Sequence, residues 1–200
     1  FYRIAVSHAD KTIENHFRSD YSTWHVVDYD LKNGSVRSKQ TAQGYADNST
    51  WARGQAWAIY GYTVCYRETN DLRYLEQAEK AFDFVVRHPN FPEDGVSYWD
   101  FNAPDIPNAL RDASAGAIMA SALYELSMHT QNEDYKKWAD KIMASLASPK
   151  FRSEIGGNGS FLLKHCVGSI PHGSEIDVPL SYADYYFLEA LKRKRDLEME

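Results

Sequence analysis

The feature that most constrains the fold of this chain is an internal repeat. When residues 54–70 are aligned with residues 116–132, identical residues recur in register, and after a one-residue gap the match continues through the following segment. The matching positions are Ala58 with Ala120, Tyr62 with Tyr124, Asn70 with Asn132, Tyr74 with Tyr135, Ala78 with Ala139 and Lys80 with Lys141. Apolar residues within both copies have helical spacing. The repeat unit is therefore predicted to be a helical hairpin with a tight internal corner and a long outgoing loop.

The opening helix matches the second half of this unit. Tyr2 falls on Tyr74, and His16 falls on His88. The chain thus begins with the second helix of a hairpin, and its last helix also lacks a partner. We expect residues 1–200 to form a single all-α domain that represents about half of a ring or solenoid of hairpins. An open half of this kind exposes an apolar flank.

The elements follow from apolar periodicity, caps and breakers. Predicted helices cover residues 1–17, 50–68, 72–88, 113–129, 133–146 and 182–195, and predicted strands cover residues 23–30 and 36–41 on either side of a turn at residues 32–35. The short corners share one end of the bundle. The three long loops must then share the other end, where a site is expected.

Composition excludes several functions. The net charge is −6, and no basic stripe suited to nucleic acid occurs outside the final helix. Cys65 and Cys166 lie far apart without metal-binding spacing. No apolar run reaches membrane-spanning length. The sequence therefore predicts no nucleic-acid partner, no membrane segment, no metal and no cofactor, and it leaves the compartment open.

The stretch from Gln43 to Trp57 runs from a polar loop into a helix. Asp47, Asn48 and Ser49 are predicted to cap that helix. Arg53 and Trp57 are four residues apart, so we expect both to face a shared hollow. A guanidinium beside an indole at a helix start suits an acidic, ring-shaped ligand. The alternative is a packed structural feature without a ligand.

Titratable residues on the loop side give no clear catalytic pair. The carboxylates there are Asp28, Asp30, Asp47, Asp100, Asp105, Asp112, Glu175 and Asp177. Asp47 and Asp112 are better explained as helix caps. His25 lies in an aromatic segment on this side, where an imidazole either hydrogen-bonds a sugar or serves the strand structurally.

Three segments carry a resemblance to a known family. Residues 24–27, 43–57 and 183–191 resemble the unsaturated glucuronyl hydrolases of glycoside hydrolase family 88. The resemblance implies an (α/α)6 barrel, a toroid of six hairpins. This chain would be its C-terminal half, with a small β-hairpin in the loop of residues 20–47.

The resemblance also implies an activity. Members of the family release 4,5-unsaturated glucuronic acid from the non-reducing end of oligosaccharides, of glycosaminoglycan type here, that polysaccharide lyases produce. An aspartic acid protonates the C4=C5 double bond, and water adds at C5. The catalytic aspartates are expected upstream of Phe1, so this chain would contain no catalytic residue and be inactive alone, with the N-terminal half of the barrel as its partner.

The residues matched to the family motif are His25, Gln43, Trp51, Arg53 and Trp57, and the resemblance implies that they bind substrate. Arg53 would meet polar or anionic groups of the uronate, Trp57 its ring face, and His25 and Gln43 the reacting end, while Trp51 would lie in the adjoining subsite. The alternatives are an unsaturated rhamnogalacturonyl hydrolase, a non-catalytic α-solenoid binding scaffold and a carbohydrate-binding module.

Overall fold

The structure, a computed structural model, describes residues 1–199. Its six α-helices and four strands follow one another in a simple order. The elements are α1 (Tyr2–His16), β1 (Val26–Tyr29), β2 (Val36–Gln40), α2 (Ala52–Thr69), α3 (Leu72–Arg87), α4 (Ala113–Thr130), α5 (Glu133–Leu146), β3 (Cys166–Ser169), β4 (Ser174–Val178) and α6 (Ser181–Glu198). All six predicted helices are present, with ends that differ by no more than three residues.

Helix α4 is the centre of the fold. It packs against α2, α5 and α6, and every residue from Ala113 to Ser127 is buried. Its many alanines and Gly116 carry little side-chain volume, so neighbouring helices approach it from all sides. Helices α2, α4 and α6 therefore form an inner row, and α3 and α5 lie outside it.

The repeat seen in the sequence is also present in the backbone conformation. The residues that follow α2 and α4, Asn70 (φ 57°) and Gln131 (φ 54°), both adopt the left-handed conformation. Asp71 and Asn132 then cap the next helix, each accepting a hydrogen bond from the backbone N–H two residues on. The two tight corners are thus equivalent, which confirms the hairpin repeat.

The predicted caps of α2 were wrong. The helix begins after Trp51, and no side chain caps its first turn. The Asp47 carboxylate instead accepts the Thr41 backbone N–H, and the Ser49 hydroxyl donates to Asp100. These polar residues shape the loop before the helix, because that loop contains several backbone N–H groups that need acceptors of their own.

The predicted hairpin in the first long loop is confirmed, with Val26 opposite Gln40. A second antiparallel hairpin joins β3 to β4 and places Cys166 opposite Val178. No strand was predicted between residues 148 and 179, because glycine and serine are frequent there and favour a loop. Strand β3 is fully buried over its four residues, and it packs beside the start of α4.

The first and last helices, α1 and α6, expose large apolar side chains. On α1 these include Tyr2 and Ile4, and on α6 they include Tyr185, Leu188 and Leu191. This agrees with the expectation that an open set of hairpins exposes an apolar flank. Within residues 1–199, no helix combines the length and apolarity needed to cross a membrane.

Candidate functional site

The long loops meet at one end of the helices, as predicted. The backbone N–H of Ala52, at the start of α2, donates to the Trp99 carbonyl at 3.2 Å. The N–H of Ala113, at the start of α4, donates to the His165 carbonyl at 2.9 Å. Helices α2 and α4 therefore each begin against the outgoing loop of their own hairpin, and side chains distant in the sequence are brought together there.

A hollow of about 490 Å³ opens at this end, between α1 and α2 and beneath the segment that precedes β1. Three of the five predicted site residues line it, namely His25, Trp51 and Trp57. The aromatic residues Phe17, Trp24 and Tyr62 also line it, together with several small side chains. The walls are thus largely apolar and aromatic, with a few polar groups, which is the usual character of a small-molecule site.

The tautomer of His25 is fixed by the loop that follows β2. Its Nδ1 accepts the backbone N–H groups of Ala42 at 3.1 Å and Gln43 at 3.2 Å. A nitrogen that accepts two N–H groups carries no proton, so the proton lies on Nε2. That nitrogen has no hydrogen-bond partner within residues 1–199. His25 therefore offers the hollow one N–H donor.

We expect the stability of the protein to fall as the pH drops below about 6.5. Burial and the Arg53 charge lower the pKa of His25 from its ordinary value of 6.5. The unfolded chain then takes up the proton at a higher pH than the folded chain, so the free energy of unfolding is highest above 6.5 and declines below it.

Urea unfolding at about pH 7.5 and about pH 5.5 measures this decline. Burial also lowers the pKa of His16 and His88, so the wild-type decline has three contributors. A His25→Asn variant keeps a side-chain oxygen as acceptor and removes the titration, and we expect a smaller decline for it. An unchanged decline would show that His25 already titrates normally in the folded protein.

Two indole rings, of Trp51 and Trp57, form part of the wall. The Trp57 ring is half-buried and meets Tyr60 and Tyr186 edge-on, at 6.2 Å and 5.1 Å between centroids. These contacts orient the ring while part of it faces the hollow. The Trp51 ring stacks on His25 at 4.3 Å, and its buried indole N–H has no acceptor within residues 1–199.

Arg53 lies behind this wall and does not line the hollow. Its guanidinium forms a buried ion pair with Asp112 at 2.7 Å and donates to the carbonyls of Val167 at 2.5 Å and Gly168 at 2.8 Å. It also lies 4.5 Å from the Trp51 ring. The expectation that Arg53 and Trp57 share a hollow is thus not met, because the Arg53 guanidinium binds the buried Asp112 carboxylate instead. Direct contact between Arg53 and a ligand stays a prediction.

Gln43 lies at the edge of the site. Its side-chain amide donates to the Gly168 carbonyl at 2.9 Å, the same oxygen that Arg53 binds. Gly44 follows, and a Cβ at this position would lie 2.5 Å from the Thr41 hydroxyl and 3.0 Å from the Asp100 carboxylate. The loop that carries Gln43 therefore packs too tightly to accept a side chain at residue 44.

Asp100 and Asp112 are the buried carboxylates of this region, and both serve the structure. Asp100 accepts the Tyr45 and Asn102 backbone N–H groups and the Ser49 hydroxyl. Asp112 caps α4 and pairs with Arg53. The sequence predicted Asp112 as a helix cap, whereas nothing in the neighbouring sequence indicates its ion pair with Arg53. No group of three or more potential metal-ligating side chains occurs among the described residues.

This arrangement has counterparts among known proteins. A curated relative from Formosa agariphila, named unsaturated glucuronyl hydrolase, is 52% identical over 197 residues, which is 98% of this chain and 49% of the relative. A crystal structure of an unsaturated glucuronyl hydrolase specific for heparin superposes with a TM-score of 0.95 at 45% identity, covering 97% of this chain and 53% of that chain. The chain is a homologue of the unsaturated glucuronyl hydrolases.

A second similar structure contains a ligand. It is a mutant of the unsaturated glucuronyl hydrolase from Streptococcus agalactiae complexed with dGlcA-GalNAc6S, with a TM-score of 0.82 and 32% identity, covering 96% of this chain and 52% of that chain. No protein-family model matches the sequence. The chain spans about half the length of the curated relatives it matches. The predicted fold, about half of an (α/α)6 barrel, is confirmed by these unsaturated glucuronyl hydrolase structures.

Proposed function

We propose that this chain supplies the substrate-binding wall of an enzyme that releases 4,5-unsaturated glucuronic acid from lyase-generated oligosaccharides. The observation that carries the proposal is the hollow where His25, Trp51 and Trp57 meet. Sugars bind proteins through apolar ring faces against aromatic side chains and through hydroxyl groups against donors and acceptors. The hollow provides both kinds of contact.

Each residue takes a distinct part in this proposal. The partly exposed face of Trp57 receives a face of the uronate ring, since Tyr60 and Tyr186 hold the indole in place. The Nε2–H of His25 donates to an oxygen of the sugar. Trp51 forms the adjoining wall. Arg53 and Gln43 support the site through the Gly168 carbonyl.

The hydration step needs a proton donor for the C4=C5 double bond and a water molecule that adds at C5, after which the hemiketal opens and releases the sugar. Asp100 and Asp112 are fully engaged in buried hydrogen bonds and are poorly suited to this task. We therefore propose that the catalytic aspartates belong to protein outside residues 1–200, and that the chain by itself binds substrate without turnover.

Both parts are tested with an unsaturated glucuronyl–N-acetylgalactosamine disaccharide. Calorimetry with the chain should detect binding, and the ultraviolet absorbance of the double bond should stay constant over the same period. Absence of binding at millimolar ligand would contradict the binding proposal. Loss of absorbance would show that the chain holds its own acid, and Asp47, which is exposed and accepts the Thr41 backbone N–H, would become the candidate.

The same titration separates the alternatives. An unsaturated rhamnogalacturonyl disaccharide should bind more weakly than the glucuronyl ligand, and tighter binding would favour the pectin-directed activity. A binding module would show affinity for saturated oligosaccharides as well, because it has no need to recognise the double bond. An α-solenoid scaffold would bind none of these sugars.

A further inference from the structure

Lys39, on the second strand, forms no ion pair with a carboxylate of residues 1–199. Lys39 lies on β2 and is half-buried. Its Nζ lies 5.5 Å from the centroid of the Trp24 ring, and no carboxylate within residues 1–199 is in ion-pair range of it. The neighbouring Asp28 is already paired with Arg37 at 2.8 Å. A half-buried ammonium that rests on an indole and lacks a counter-ion is suited to an external anion.

Lys39 lies beside the hollow described above, next to a residue that lines it. Trp24, on which it rests, lines that hollow beside His25, the next residue along the chain. His16 lines it as well, and the pKa of His16 is lowered by burial and by the charges of His8 and Lys39. The positive charge of Lys39 therefore acts on His16, a residue in the wall of the hollow.

Arg18 adds positive charge without competing for the ligand. Its guanidinium lies 3.9 Å from the Trp24 ring centroid. Its N–H groups donate to the carbonyls of Thr23 at 2.8 Å and Ser49 at 2.9 Å, so they are occupied within the loop. Lys39 is thus the cation at this edge whose donors are available to a ligand.

We propose that Lys39 and Trp24 form a subsite for an anionic group on the sugars that follow the unsaturated uronate. The inference rests on the proposed function, because it places the first sugar against Trp57. The indole of Trp24 holds the Lys39 side chain in place, and the ammonium pairs with a sulfate ester or a carboxylate of the next sugar. Longer or sulfated oligosaccharides then bind more tightly than the unsulfated disaccharide.

The test compares Lys39→Gln with Lys32→Gln by calorimetry. Lys32 lies exposed at the turn of the same hairpin, so each variant removes one positive charge from the β1–β2 hairpin. The probes are the unsaturated glucuronyl–N-acetylgalactosamine disaccharide, its 6-sulfated form, and an unsulfated unsaturated tetrasaccharide with a second uronate. The sulfated disaccharide and the tetrasaccharide distinguish a sulfate from a carboxylate as the anion.

We expect Lys39→Gln to weaken binding of the sulfated disaccharide or of the tetrasaccharide by about tenfold or more, as for one charge-assisted hydrogen bond, and to leave the unsulfated disaccharide unaffected. Lys32→Gln should match the wild type. We also expect the pKa of His16, followed by NMR, to rise in Lys39→Gln, because a nearby positive charge is removed.

Equal affinities of the two variants for every probe would overturn the subsite, and so would an equal loss on the unsulfated disaccharide. An unchanged His16 pKa would show that Lys39 lies away from the hollow and would overturn it too. If the wild-type chain binds no probe at all, the proposed function fails together with the subsite. Binding of the unsulfated disaccharide with no effect of Lys39→Gln rejects the subsite alone.

Discussion

An Asp112→Ala variant is expected to lose about 3–5 kcal/mol of stability, because it removes one partner of a buried ion pair and leaves the other charge uncompensated. The side chains of Asp112 and Arg53 are 0% and 4% exposed. The change also removes the cap of α4, which accepts the Ser114 N–H. In a chain of this length the melting temperature should drop by about 10 °C, measured by circular dichroism.

Asp71→Ala is the matched control. Asp71 caps α3 with the same geometry, accepting the Arg73 N–H, and its partner Arg73 lies exposed at the surface. We expect a much smaller drop for this variant, since water can solvate the charge that remains. Equal drops for the two variants would show that capping accounts for the whole effect and that the Arg53 pair contributes little.

A Trp57→Ala variant is expected to weaken binding of the unsaturated glucuronyl disaccharide by about 30-fold or more. A ring that is held by neighbours and partly faces a ligand is typical of a binding hot spot, where truncation costs about 2 kcal/mol or more. Calorimetry with the 200-residue chain measures the change. Trp57→Phe retains an aromatic face and should lose less.

The control for this prediction is Trp138→Ala. Trp138 packs on Phe91 and Phe82 on the outer side of the bundle, away from the hollow. It should leave the affinity unchanged even if stability falls, provided that circular dichroism shows a folded chain. Wild-type affinity in Trp57→Ala would mean that the sugar binds elsewhere, and the hollow would lose its proposed role.

Local patterns predicted most of the helical fold. The tight corners within the two hairpins and the cap Asp112 depend on neighbours within a few residues, and such signals are readable from the sequence. The hairpin β3–β4 was missed because its buried strand has four residues without alternation, and its glycines suggested a loop.

The site was only partly predictable for a different reason. His25, Trp51 and Trp57 were identified and line one hollow. Arg53 was identified too, but its environment depends on Asp112, which is 59 residues away, and on the Val167 and Gly168 carbonyls, which are more than 110 residues away. Contacts over such separations depend on the assembled fold, so the sequence did not show which carboxylate the guanidinium would bind.

The central claim is that the hollow beside α2 binds an unsaturated uronate. The most direct test is a crystal structure of the chain with the unsaturated glucuronyl–N-acetylgalactosamine disaccharide. We expect the uronate ring against the Trp57 indole and one of its oxygens within hydrogen-bond distance of the His25 Nε2. Disaccharide bound at another surface, or an empty hollow at a ligand concentration that saturates the chain in calorimetry, would contradict the claim.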